Sequence, residues 1–203
     1  SNINSLDNVI IGSNAGVSLI GNNTIGANIL LGFNSGNSLE TGINNIYIGT
    51  NSGKNSITSM NNVLLGVNAM SNGNANNAVI IGNSAGQNNN ANENVFIGLN
   101  AGYLNVFSVD NVVIGNNAGT ALIGNGITGN NVLIGSNSGI GLETGYNNIY
   151  IGLTLNKFKI TLDHQLLYDD VSFNVGVKIL LAALIAEPIK PATAIWGTNH
   201  GNN

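Results

Sequence analysis

The chain has 203 residues, five lysines, no arginine and nine acids, so its net charge is −4 and only 7% of it is charged. No basic stripe is available to displace counterions from nucleic acid, and with 43% hydrophobic residues it is not a solvated, disordered chain. Solubility falls to Asn, about a fifth of the sequence, with Ser and Thr, and there is no cysteine. The longest apolar stretch, 175–186, is interrupted by Lys178 and is too short to span a bilayer, so the chain reads as soluble without membrane insertion. Ser1 reads as the start of a mature chain or fragment with no signal peptide.

From the N-terminus one pattern recurs nine times: Asn, three apolar residues, Gly, any residue, Asn, a small residue, Gly. The copies are NVIIGSNAG at Asn8, NILLGFNSG at Asn28, NIYIGTNSG at Asn45, NVLLGVNAM at Asn62 and AVIIGNSAG at Ala78. NVFIGLNAG at Asn94, NVVIGNNAG at Asn111, NVLIGSNSG at Asn131 and NIYIGLTLN at Asn148 follow. Successive triplet-ending glycines lie 20, 17, 17, 16, 16, 17, 20 and 17 residues apart. Self-similarity at so short a period marks a solenoid, whose units bury apolar surface only by stacking. β-Branched triplets between glycines have neither the period nor the length of helices. The expected fold is all-β: a parallel β-roll or β-solenoid of about nine 16–20-residue coils over residues 1–155, each rising about 4.8 Å.

Within a triplet the first and third side chains share one face of a strand and the middle one points the other way. The first is always Val or Ile and the third Ile or Leu, a size restriction that predicts the coil core. That core comprises Val9, Ile11, Ile29, Leu31, Ile46, Ile48, Val63, Leu65, Val79, Ile81, Val95, Ile97, Val112, Ile114, Val132, Ile134, Ile149 and Ile151. The middle residue ranges from Val to Tyr, which predicts an outward column: Ile10, Leu30, Tyr47, Leu64, Ile80, Phe96, Val113, Leu133 and Tyr150. Such a core is thin against the entropy of ordering the array, so the apolar middle column is expected to form the interface of a side-by-side homotrimer.

Asn precedes eight of the nine triplets and follows the glycine by two in seven. Stacked amides can hydrogen-bond along the axis, or each Asn can simply suit a turn; both roles are structural. A longer repeat overlies the short one: residues 8–53 resemble 111–156 at an offset of 103, including LETGINNIYIG at Leu39 and LETGYNNIYIG at Leu142. The ninth copy loses its corner, with Thr154, Leu155 and Asn156 in place of Asn, a small residue and Gly.

The unit NVxIGxNAG with intervening TGxNN (41–45 and 144–148) resembles the head repeats of trimeric autotransporter adhesins and, more closely, the NAG-type repeats of phage and large-virus tail fibres. The resemblance covers about residues 1–155. It implies a left-handed parallel β-roll with three chains to a fibre, displayed on a cell or virion surface and used in adhesion or host recognition. The period of 16–20 residues is longer than in the autotransporter heads.

Beyond Leu153 the Asn and Gly thin out, and residues 156–203 are expected to cap the roll or connect it onward. Several motifs there and in the array are tempting. Gly82-Asn83-Ser84-Ala85-Gly86 has the letters of a nucleophile elbow, but it is one repeat unit with Asn and Ser exchanged, without the helix an elbow needs. Gly124, Gly126 and Gly129 have dinucleotide-fingerprint spacing but also lie in a corner. Asp163, His164, Asp169 and Asp170 lack metal-ligand spacing, and Asn22-Asn23-Thr24 is a glycosylation sequon. No catalytic, cofactor or metal residue is assigned. The expected function is therefore a non-enzymatic, extracellular fibre segment, a stalk or head, whose partner is itself and a surface glycan or protein met by the turns 87–92 and 104–110. The alternatives are a monomeric ice- or glycan-binding solenoid and a polysaccharide-degrading β-helix. The second needs clustered carboxylates, whereas Glu40, Glu93, Asp110 and Glu143 are spread along the array.

Overall fold

A computed structural model describes residues 3–124 and 129–153. The proposed cap or connector, 156–203, lies outside these residues, as do Asp163, His164, Asp169 and Asp170. The described chain is a parallel β-solenoid of about eight turns, without helix among the described residues. Eleven strands occur in chain order: β1 (Ile3–Leu6), β2 (Val9–Ile11), β3 (Ile20–Ile25), β4 (Ile29–Leu31), β5 (Ile46–Ile48) and β6 (Val63–Leu65). Then come β7 (Val79–Ile81), β8 (Val95–Ile97), β9 (Val112–Ile114), β10 (Val132–Ile134) and β11 (Ile149–Ile151).

Every triplet is a strand, and nine of them stack in chain order into one parallel sheet, β2-β4-β5-β6-β7-β8-β9-β10-β11. The register is strict, so that Ile46 pairs with Val63, Tyr47 with Leu64 and Ile48 with Leu65. Parallel strands need a crossover, and here the rest of each coil supplies it without a helix. The 20-residue first coil adds β3, which pairs in parallel with β1. There the N–H groups of Gly26 and Ala27 both donate to the Leu6 carbonyl. At an offset of 103, Gly129 and Asn130 donate to Val109 in the same way. The long repeat thus extends to individual backbone bonds.

Each coil turns at residues with positive φ. Asn supplies most of those that are not glycine, as at Asn51 (φ 57) and Asn61 (φ 58), because its short amide tolerates the left-handed region. The triplet-ending glycine is more demanding. Gly98 has φ +132, and a Cβ there would lie 2.6 Å from the carbonyl oxygen of Gly115 in the next coil. Backbone stacks directly on backbone at this corner, so no side chain fits.

The core runs through the centre of the coils and corrects the sequence expectation. The middle residues Leu30, Tyr47, Leu64, Ile80, Phe96, Val113 and Leu133 are fully buried, and Ile10 and Tyr150 pack against them at the two ends. The predicted outward interface column is therefore the interior. The predicted core is the reverse: its eighteen Val, Ile and Leu side chains are all half-buried or exposed. Variation in the middle column is absorbed by the facing wall. A Cβ at Gly102 would lie 2.6 Å from the Phe96 ring, and one at Gly53 would strike Tyr47. Seven residues beyond the triplet glycine stand Leu19, Leu39 and Leu122 in the coils of Ile10, Leu30 and Val113, but Gly73 and Asn89 in those of Leu64 and Ile80. Ser56 and Asn105 hold that position in the coils of Tyr47 and Phe96. No leucine therefore stands opposite either aromatic ring, and the packing closes.

Candidate functional site

The interior leaves little polar chemistry unused. From Asn28 onward the Asn that precedes a triplet is buried, and along most of the array its Oδ1 accepts two bonds from the next coil. Asn45 donates its backbone N–H and Nδ2 to Asn28 Oδ1, both at 3.0 Å, and its Nδ2 also reaches the Ser59 carbonyl at 2.7 Å. The same pair of bonds joins Asn8 to Asn28, Asn45 to Asn62, Asn94 to Asn111, Asn111 to Asn131 and Asn131 to Asn148. Both structural readings of Asn hold at once, because separate columns ladder at the turns, as in Asn34–Asn51–Asn68 and Asn44–Asn61–Asn77.

Ala78 interrupts the buried ladder. Asn62 Oδ1 accepts only its backbone N–H, at 2.9 Å. Beyond the gap, Asn94 Nδ2 turns to Asn89 Oδ1 and to the carbonyls of Ala91 and Ser108. Asn105 Nδ2 also donates to Asn89 Oδ1, at 2.7 Å. This buried amide cluster is bonded within itself, so it is a structural graft rather than a ligand site.

Among the described residues, Tyr47 Oη is the buried side-chain polar atom without a hydrogen-bond partner. Burial pushes its pKa up from 10.0 to about 12. Asn62, Ser56 and Ser59 lie close enough to pull the other way, but none meets the hydroxyl with bonding geometry, so desolvation dominates. Tyr150, its counterpart 103 residues on, is raised in the same direction and for the same reason. No group of three or more His, Asp or Glu converges among the described residues. Ser84 of the elbow-like motif sits at φ 54 in a corner, its Oγ donating to Asn83 Oδ1 at 2.9 Å.

What the fold concentrates at its surface is apolar. The first and third triplet residues stand in two parallel columns on the outer face of the nine-stranded sheet, with no charged or polar member. Exposure is greatest at the ends, where Ile11 is 65% and Ile151 66% exposed. One flank extends the strip in part, since Phe33, Val67, Leu99 and Leu153 follow the triplet glycines and are exposed, alternating with Ser13, Thr50, Asn83, Asn116 and Ser136. The other flank is polar: Asp7, Asn44, Asn61, Asn77, Glu93, Asp110, Asn130 and Asn147, all exposed at positive φ. The turns singled out for recognition, 87–92 and 104–110, are also partly exposed, at Asn90, Asn92, Leu104 and Phe107.

The outward strip was legible in the sequence by one further step. The buried Asn stands two residues before the middle apolar residue, so the two share a strand face. An interior amide ladder therefore carries the middle column inside with it. Comparison with protein-family models, with curated proteins and with solved structures finds no match for this chain.

Proposed function

We propose that the chain is a non-enzymatic segment of an extracellular fibre, a stalk or head that holds an attachment surface away from a cell or virus particle. The observation that carries this reading is the unbroken parallel ladder of nine register-matched strands. A stack in which every coil bonds to the next is stiff along its axis and lengthens by duplication, as the 103-residue repeat records. The interior is filled by side chains and saturated amides, which favours a load-carrying role over catalysis in the described array. The likeness of NVxIGxNAG and TGxNN to adhesin-head and tail-fibre repeats points the same way and implies three chains side by side. Contact with a surface glycan or protein falls to the variable turns 87–92 and 104–110.

Immunogold labelling of intact source cells or particles with antibody to the array tests the reading. Gold on projecting fibres is the expected result. Antigen confined to the interior of the cell would overturn it.

A further inference from the structure

We propose that the outward apolar strip is a seam that a second copy of this chain covers lengthwise. This deepens the fibre reading and rests on its side-by-side assembly, but it places the contact on the opposite side of the strand from the fully buried middle column.

The argument begins with area. Nine strands about 4.8 Å apart span about 38 Å, and a triplet with its side chains is about 12 Å wide, giving about 450 Å² of continuous Val, Ile and Leu surface. The largest apolar patch on a typical monomeric protein covers about 300–600 Å², so the two columns alone already reach that range. With the Phe33, Val67 and Leu99 flank the strip reaches about 650 Å², so two copies would bury about 1,300 Å², within the range of stable specific interfaces.

Chemistry then selects the partner. The two triplet columns offer no charge and no hydrogen-bonding side chain, and polar residues enter only along the flank, at Ser13, Thr50, Asn83, Asn116 and Ser136. The body of the strip therefore does not suit an ice lattice, a glycan or an acidic or basic peptide. Its distinctive property is a pitch of one β-coil, and a second copy presents the same pitch in the same β-branched side chains. Two such faces mesh along their whole length, as facing sheets do in a sandwich. The flanks orient the contact. Asp7, Glu93 and Asp110 line one edge, and because burying unpaired carboxylates is costly that edge stays in water. The opposite edge, with its exposed apolar side chains, turns into the seam.

The test is solution mass by light scattering on the full chain and on two variants. Val79→Lys/Ile81→Lys puts two charges in mid-strip, and Asn72→Lys/Asn88→Lys puts two on another, exposed or half-buried part of the coil. The expected result is an assembly of at least two 20.8 kDa chains for the unaltered protein and the Asn variant, and a folded monomer for the strip variant. A monomeric unaltered chain overturns the seam. So does a strip variant that keeps its β circular dichroism and its assembled mass. In that second case the fibre reading stands, since it is judged by surface labelling. Should the double lysine variant not fold, Ile81→Ser, which carries no charge, is expected to weaken assembly at least tenfold in concentration. Unchanged assembly there also overturns the proposal.

Discussion

Gly98 shows how little freedom the corner allows. An alanine there would combine φ +132 with a Cβ set against the Gly115 carbonyl. Gly98→Ala is expected to lower unfolding stability by about 2–3 kcal/mol in urea titration, because backbone strain and a steric clash act together. An effect below about 0.5 kcal/mol would mean that the coils stack less tightly than described.

Tyr47 behaves oppositely, because its hydroxyl is buried yet unbonded. Removing an unsatisfied polar atom relieves a desolvation penalty, so Tyr47→Phe is expected to be neutral or stabilising by up to about 1 kcal/mol at pH 7. Its pH dependence has a definite sign. With the folded pKa raised from 10.0 to about 12, the neutral phenol is favoured by folding. The unfolded chain then releases its proton first, so stability is intact below pH 10 and falls by about 2–3 kcal/mol as pH rises towards 12. The Tyr47→Phe variant should lose less stability over that window. An identical alkaline loss in both proteins would place the tyrosine outside the core.

At the scale of the coil, the buried Asn ladder is the strongest polar element. Asn111 takes two bonds from Asn131 on its Oδ1, and its Nδ2 donates to Asn94 Oδ1 and to the carbonyl and Oγ of Ser108. Asn111→Ala leaves the Asn131 amide and the acceptors of Asn94 and Ser108 short of partners, and is expected to cost about 2–4 kcal/mol. A surface ladder member such as Asn61 has water as a substitute, so Asn61→Ala is expected to cost less than the buried change in the same urea titration. Equal losses would contradict the burial difference. The nine triplet strands are legible, because glycine spacing and β-branched runs act locally, but β1 and β3 are not, since neither carries the triplet pattern. Which side of the triplet faces inward was not legible from size restriction alone. The range from Val113 to Tyr47 in the middle column points outward when the strand is considered by itself. Gly53, Ser56, Gly102 and Asn105, across the coil and not adjacent in sequence, make the room.

For the whole molecule, the inversion of inside and outside changes what the array can join. A middle column lost to the interior makes the solenoid self-sufficient along its axis, since side chains and amides from each coil meet those of the next. The two outer columns, uniform in size and free of charge, are left as lateral surface, and their regularity is what the proposed seam with a partner of the same pitch requires. The candidate surface is therefore visible in the sequence as a pair of size-restricted columns, but size restriction alone puts them on the wrong side of the sheet. Any recognition surface built on the turns would then be repeated once per chain around a bundle, gaining avidity from assembly.

The neighbouring residues Ile80 and Ile81 test this arrangement most directly, because they lie on opposite sides of one strand and the chain has no cysteine of its own. Ile80→Cys and Ile81→Cys would be treated with a short bismaleimide under native conditions and compared by denaturing gel. Covalent dimers from Ile81→Cys with none from Ile80→Cys are the expected result. Cross-linking through Ile80→Cys instead would contradict the account, returning the middle column to the interface and the outer columns to the core.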